Sequence, residues 1–288
     1  MITIIDQLSR ERADTFSLVL DSAGIGNRVI RSDNGFHIDV PESLAGPAQD
    51  AIRCYQKENP IAEDWVPANN PLVTRLHLSG IAVALLLLTV HLAIYSSVLP
   101  EDYITVFGAD SRRILNGEPY RCVTALWLHA DDAHLAGNMA GIALFGTAVT
   151  GFTGPGVGWL MILASGFLGN WFNAYVYKTG HLSIGASTMV FGAVGLLCSL
   201  QVNRSLRTGR GWKRIFLAMG GGLALLAFLG TSARSDVGAH LFGFLAGILF
   251  GGAHGLWTGR PFGNKVQIWC GIIAVWAPLW AWIQGALK

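Results

Sequence analysis

Seven apolar stretches, each near the length of a membrane-crossing helix, recur through this chain after residue 77. A helix needs about 20 apolar residues to cross roughly 30 Å of hydrocarbon. Hydrophobic residues make up 52% of the 288 residues and charged residues only 13%, which leaves too little polar surface for a soluble domain. We therefore predict an all-α polytopic membrane protein. The predicted spans cover residues 78–99, 134–149, 157–175, 183–202, 215–229, 237–257 and 266–286.

The residues before the first apolar stretch have the patterns of a small folded domain. Helical periodicity over 10–23 and 42–57 flanks two strand-like runs, 27–32 and 36–40, which are joined through an Asn34-Gly35 turn. Prolines and asparagines then interrupt regular structure before the first span. The predicted divisions are a small α/β cytosolic domain over 1–66, a linker over 67–77, the membrane core over 78–257, and a cytoplasmic loop with an additional transmembrane helix over 258–288.

Basic residues predict the orientation of the spans, because short cytoplasmic loops are enriched in lysine and arginine. The links after spans four and six hold the clusters Arg204, Arg207, Arg210, Lys213 and Arg214, and Arg260 and Lys265. Both links are therefore predicted to be cytoplasmic, as is the amino terminus. Spans two, four and six then all enter the membrane from the outer side.

Polar residues lie in the first turns of these three spans. They are His134 and Asn138 in span two, Ser187 near the start of span four, and His240 in span six. Polar groups are costly in hydrocarbon and call for a functional partner. Since all three spans enter from the same side, the sequence predicts that these side chains meet in one layer near the outer surface.

A serine and a histidine in one layer predict nucleophilic catalysis. A serine hydroxyl needs a base within hydrogen-bond reach and donors for the developing oxyanion. Gly185 before Ser187 leaves the approach to the hydroxyl open, and Gly243 beside His240 allows close helix contact. No Asp or Glu occurs in the predicted spans, so we expect a Ser-His dyad rather than a triad.

The composition also limits cofactors and partners. The four cysteines are scattered and no HExxH motif occurs, so we expect no metal and no organic cofactor. No basic patch with interleaved aromatic residues suggests nucleic-acid binding. The lipid bilayer is the partner that the apolar spans imply, and the oligomeric state is left open.

These motifs resemble, in order and spacing, those of the rhomboid intramembrane serine proteases over roughly residues 78–257. The matching residues are 116–124, His129, His134, Asn138, Gly185, Ala186, Ser187, Ala239, His240, Gly243 and Gly247. The resemblance implies a six-helix core in which Ser187 is the nucleophile and His240 the general base. It also implies that His134, Asn138 and the Ser187 amide bind the oxyanion, and that Arg121 lies in an outer loop partly within the membrane.

The chain departs from the family pattern at three places. Thr188 stands where the family usually has glycine, and we expect this β-branched side chain to crowd the nucleophile or tilt the oxyanion amide. Tyr120 stands where tryptophan is usual before the loop arginine. The seventh span resembles the longer family forms. The amino-terminal domain is similar to cytosolic domains of some bacterial members, which favours the inner (plasma) membrane.

The sequence thus favours an intramembrane serine endopeptidase that cleaves transmembrane segments of other membrane proteins. Two alternatives remain. A catalytically inactive rhomboid-like protein would bind or escort membrane proteins, and the departure from glycine at Thr188 leaves this hypothesis open. A transporter or channel would use the histidines and glycines to line a path, and it predicts solute flux that survives Ser187→Ala.

Overall fold

The computed structural model describes residues 1–8, 10–32, 35–59, 78–96, 100–207, 212–229, 236–257 and 261–288. The chain divides into two compact units, Met1–Val66 and Pro67–Lys288. Several predicted features lie outside the described residues. They are the linker 67–77, Asn34 of the predicted turn, the end of the first span at 97–99, and the basic residues Arg210 and Arg260.

The amino-terminal unit is a small sheet packed on two helices. Its elements are β1 (Ile2–Leu8), α1 (Arg10–Ser22), β2 (Arg28–Ser32), β3 (Gly35–Val40), a short 3-10 helix (Glu42–Leu44) and α2 (Ala45–Glu58). The strands are antiparallel in the order β1-β3-β2. Phe16, Leu20, Ile38 and Ile52 are buried between the sheet and the helices. Strand β1 was not predicted from the sequence, because its apolar and polar residues do not alternate regularly. It is an edge strand, and its pairing with β3 has two irregularities.

The second unit is built from apolar helices. They are α3 (Ser79–Tyr95), α7 (Asp132–Thr153), α8 (Pro155–Tyr177), α9 (Ser187–Arg207), α10 (Trp212–Leu229), α11 (Val237–Trp257) and α12 (Asn264–Ala286). Each predicted span overlaps one of them. Among the described residues, α7, α9, α11 and α12 are long and apolar enough to cross a membrane, while Ser79–Tyr95 and Ile215–Ala227 are shorter apolar helices. The chain is therefore a mostly helical membrane protein.

Short elements lie between α3 and α7, in the segment that the sequence predicts to be an outer loop; residues 100–131 are called the outer loop. It contains α4 (Pro100–Phe107), β4 (Ala109–Asp110), α5 (Ser111–Leu115), α6 (Arg121–Thr124) and a 3-10 turn (Ala125–Trp127). Strand β4 pairs with β5 (Leu182–Ser183), directly before α9. This pairing explains why α9 begins at Ser187, although the apolar pattern placed the start of span four at Ser183.

Helices α9 and α11 approach so closely that side chains are excluded from their contact. A Cβ placed on Gly247 would collide with the carbonyl oxygen of Gly192, and one on Gly251 would lie 2.8 Å from the carbonyl oxygen of Leu196. Real Cβ atoms do not come this near to backbone, so only glycine fits at both positions. The contact holds α9 and α11 side by side, and the amino-terminal ends of these helices carry Ser187 and His240.

Helix α12 packs against α8 and is held at both of its ends. Near its start, the Gln267 side chain donates to the carbonyl of Thr153 at 2.8 Å and accepts from the N–H of Val157 at 3.1 Å. Near its other end, Gly285 lies against Phe107 and Tyr120 of the outer loop. The additional helix is thus joined both to the turn between α7 and α8 and to the outer loop.

Candidate active site

Ser187 and His240 meet at the amino-terminal ends of α9 and α11. The Ser187 Oγ lies 2.7 Å from the His240 Nε2, which is hydrogen-bond distance. His240 is buried, and the ring of Phe191, one turn after Ser187, lies 4.7 Å from the imidazole centroid. This contact limits rotation of the imidazole and keeps Nε2 toward the hydroxyl.

The turn before Ser187 depends on a glycine. Gly185 has a φ of +121°, which side-chain-bearing residues rarely adopt. A Cβ on Gly185 would lie 2.6 Å from His134 Nε2 and 3.4 Å from Asn138 Nδ2. The backbone at Gly185 therefore runs directly past both side chains, which places them beside the turn before Ser187.

His134 and Asn138 present donors from one face of α7. Asp131 caps this helix by accepting from the backbone N–H of His134 at 2.8 Å. The buried Nδ2 of Asn138 has no hydrogen-bond partner among the described residues. Buried donors without partners are rare and call for an explanation. An oxygen atom of a bound substrate would accept a hydrogen bond from this Nδ2.

A cavity of about 730 Å³ opens in front of these groups. Its polar side chains include Asp131, His134, Asn138, Ser183, Ser187, Asp236 and His240, and its apolar side chains include Leu144, Phe145, Val190, Phe191, Val194 and Leu225. The volume suits a short stretch of peptide with its side chains. The described residues contain no cluster of three His, Cys, Asp or Glu side chains arranged to hold a metal.

Asp236 is an important residue that the sequence analysis missed. Its side chain caps α11 by accepting from the N–H of Ala239 at 3.1 Å, and it also accepts from Asn173 Nδ2 and His181 Nε2, both at 2.7 Å. Burial raises the pKa of Asp236, but the hydrogen bonds from Ala239, His181 and Ser183 outweigh burial and hold the pKa below its ordinary value. The N-cap position three residues before Ala239 was the available signal.

His129, in the outer loop, supports the turn before Ser187. Its buried Nε2 accepts from the backbone N–H of Ala186 at 3.4 Å. Burial and the neighbouring His134 and His91 lower the pKa of His129 to about 3. The imidazole is therefore neutral and able to accept a hydrogen bond at neutral pH.

Arg121 organises the outer loop. It is almost fully buried, and it donates from Nε to Glu118 at 2.6 Å and from Nη1 to the carbonyls of Thr105 and Gly108, each at 3.0 Å. Burial raises the pKa of Glu118. The hydrogen bonds with Arg121 and Tyr120 lower this pKa by more than burial raises it, so the pKa lies below its ordinary value. These hydrogen bonds lie within the loop, and through them Arg121 holds the loop in shape.

Thr188 occupies a different environment from the one expected. Its Oγ1 donates to Asn170 Oδ1 on α8 at 3.2 Å. Its methyl group faces Gly169 of α8 and Gly243 of α11, where an added Cβ would meet it. Both branches of the side chain therefore pack between α8 and α11, and the 2.7 Å contact between Ser187 and His240 forms in its presence.

The fold and the site define an integral membrane protein in which a serine and a histidine from adjacent helices meet beside a cavity. Residues 116–255 match the family model of the Rhomboid domain. Bacillus subtilis YdcA, named for the rhomboid protease family, is 28% identical over 166 residues, which are 58% of this chain and 81% of YdcA. The chain thus contains a Rhomboid domain over residues 116–255.

Two further relatives share the same region. RHOMBOID-like protein 7 of Arabidopsis thaliana is 33% identical over 136 residues, which are 46% of this chain and 42% of that protein. Rhomboid protease GluP of Bacillus subtilis is 29% identical over 167 residues, which are 57% of this chain and 32% of that protein. The match thus spans less than half the length of these two relatives.

Proposed function

We propose that this chain is an intramembrane serine endopeptidase that cleaves transmembrane segments of other membrane proteins with a Ser187-His240 dyad. The observation that carries the proposal is the 2.7 Å contact between Ser187 Oγ and His240 Nε2. The two residues come from different helices, 53 positions apart in the chain. The Rhomboid domain and the similarity to a named rhomboid protease support the same reaction class.

The proposed reaction proceeds through an acyl-enzyme. Neutral His240 takes the proton of Ser187 while the hydroxyl oxygen attacks the scissile carbonyl. The oxyanion that forms accepts hydrogen bonds from His134, Asn138 and the Ser187 backbone N–H. His240 then gives its proton to the leaving amine, and water repeats the sequence to release the acid product.

The substrate in this proposal is another membrane protein. A transmembrane helix hides its carbonyls in its own hydrogen bonds, so it must unwind locally before Ser187 can reach one. Helix-destabilising or small residues near the outer interface are therefore the expected preference. The cavity of about 730 Å³ beside Ser187 provides room for the unwound segment.

The proposed topology has seven membrane crossings, made of a six-helix core and the additional helix α12. Arg204 and Arg207 end α9, Lys213 begins α10 and Lys265 begins α12, which supports cytoplasmic positions for these helix ends. The amino-terminal α/β unit is then cytoplasmic, and Ser187 faces the extracytoplasmic side. The amino-terminal domain, which is similar to cytosolic domains of some bacterial members of the family, favours a bacterial plasma membrane.

Cleavage in reconstituted vesicles tests the proposal. Purified full chain is mixed in liposomes with a single-span protein that carries a glycine-rich segment near its outer interface. We expect cleavage by the wild type, and a loss of at least about 10³-fold in Ser187→Ala and in His240→Ala. A fluorophosphonate probe should label the wild type but not Ser187→Ala.

Three outcomes would overturn the proposal. Equal cleavage by the wild type and Ser187→Ala would remove Ser187 as the nucleophile. An inactive rhomboid-like protein would instead retain the single-span protein on affinity purification, with neither cleavage nor labelling. Solute flux that persists in Ser187→Ala vesicles would indicate a transporter.

A further inference from the structure

Thr188 is joined by hydrogen bonds to the outer loop through one intermediate side chain. Its Oγ1 donates to Asn170 Oδ1 at 3.2 Å, and Asn170 Nδ2 donates to the carbonyl of Cys122 at 2.9 Å. Thr188 and Asn170 are 2% and 3% exposed, so water does not compete for these bonds. The residue after the candidate nucleophile is therefore linked through α8 to α6.

The packing around Thr188 fits a β-branched side chain closely. A Cβ on Gly169 would collide with the Thr188 methyl group and would lie 2.9 Å from the Cα of Gly243. A Cβ on Gly243 would collide with the Thr188 carbonyl and lie 3.0 Å from its methyl group. Glycines on α8 and α11 thus leave the space that Thr188 fills.

The position of Thr188 couples this junction to the chemistry. Thr188 is the second residue of α9, so any rotation of this first turn moves both the Oγ and the backbone N–H of Ser187. Catalytic groups need to be held within about 0.5 Å of productive geometry. A side chain fixed on two sides by packing and on a third by a buried hydrogen bond meets this requirement.

We propose that Thr188 is a positioning residue for Ser187, acting through its hydrogen bond to Asn170; this inference rests on the proposed function. The hydroxyl fixes the first turn of α9, while the methyl group fills the space between Gly169 and Gly243. The departure from the usual glycine thus supports the nucleophile instead of obstructing it.

Two substitutions separate the hydroxyl from the methyl group. Thr188→Val keeps the shape, removes the donor and leaves the buried Asn170 Oδ1 without its partner. Thr188→Ser keeps the donor and removes the methyl group. Thr153→Val is the matched control, because Thr153 is also buried and donates to a helix carbonyl, that of Val149 at 2.9 Å.

The measurements are kcat and KM for transmembrane cleavage, and the rate of fluorophosphonate labelling. We expect Thr188→Val to lower kcat about tenfold with KM unchanged, since misplacement affects the transition state and not docking. The labelling rate should fall by the same factor. Thr188→Ser should stay within about threefold of wild type, and Thr153→Val should affect melting temperature but not kcat.

A double-mutant cycle tests the route through Asn170. Asn170→Ala should lower kcat, and Thr188→Val combined with Asn170→Ala should be no worse than the more damaging single variant. Additive losses would contradict the route. Equal kcat in Thr188→Val and wild type, or equal losses in Thr188→Ser and Thr188→Val, would overturn the positioning role while leaving the peptidase proposal intact. Cleavage that survives Ser187→Ala would overturn both.

Discussion

The backbone carbonyl of Asp236 accepts the N–H of His240 at 3.0 Å, one helical turn further along α11. The carboxylate of the same residue caps α11 through Ala239 and binds His181 in the loop that leads to Ser187. These contacts fix where α11 begins relative to the loop before Ser187.

Asp236→Asn should destabilise the protein and reduce cleavage. Asparagine is itself a good N-cap, so the expected loss comes from removing the negative charge at the amino terminus of α11, which is worth about 0.3–1 kcal/mol. The neutral amide also weakens the hydrogen bonds that the carboxylate accepts from Asn173 and His181. We expect a lower melting temperature at pH 7 and a several-fold lower kcat. Asp14→Asn is the control, because Asp14 is exposed on α1 in the amino-terminal unit.

The pH dependence of this effect has a defined sign. The folded state lowers the pKa of Asp236 below its ordinary value of 3.8, so its ionised form stabilises the protein above that pH and the contribution is lost as pH falls further. The melting temperatures of wild type and Asp236→Asn should therefore differ at pH 7 and converge below about pH 4. A constant difference from pH 7 to pH 3 would contradict this role for the charge.

Removal of an oxyanion donor should affect kcat more than KM. Asn138→Ala should lower kcat by about 10²-fold or more, because its Nδ2 is placed for an oxygen that carries charge only in the transition state. His134→Ala should have a similar effect. Asn203→Ala, near the other end of α9, serves as the control and should leave kcat unchanged. A rise in KM alone for Asn138→Ala would instead assign this residue to substrate docking.

The apolar periodicity of the sequence predicted the helices of the membrane unit well. A long apolar stretch in hydrocarbon forms a helix, because its backbone N–H and C=O groups must bond to one another there. The distribution of basic residues then indicated that Ser187 and His240 enter from one side. The structure brings them to 2.7 Å, which no local pattern specifies, because it depends on the glycine contacts between α9 and α11.

Features that depend on pairing between distant segments were not predicted. The start of α9 was placed four residues early, since β5 reads as apolar and only its pairing with β4 makes it a strand. The expected crowding by Thr188 overlooked Gly169, which lies on α8 and gives its side chain space. Asp236 was missed because it precedes the apolar stretch, although it binds three segments around the site.

Gly185→Ala should abolish cleavage. The new methyl group would lie 2.6 Å from His134 Nε2 and would stand on a backbone with a φ of +121°, so the turn before Ser187 must move. Gly221→Ala is the control, because Gly221 is helical and has no described atom within 4 Å of its added Cβ. Fluorophosphonate labelling checks the result directly, and labelling of Gly185→Ala at the wild-type rate would contradict it.

Gly285→Ala tests whether α12 supports the outer loop. An added Cβ would collide with the ring of Phe107 and lie 3.0 Å from the Tyr120 ring, and overpacking of this kind costs about 1–3 kcal/mol. Tyr120 adjoins Arg121, whose hydrogen bonds shape the loop, so we expect both a lower melting temperature and slower cleavage. Gly271→Ala is the matched control on the same helix, since its nearest neighbour would be 3.7 Å away. If Gly285→Ala and Gly271→Ala have the same melting temperature and the same cleavage rate, α12 is attached to the core but does not support the loop.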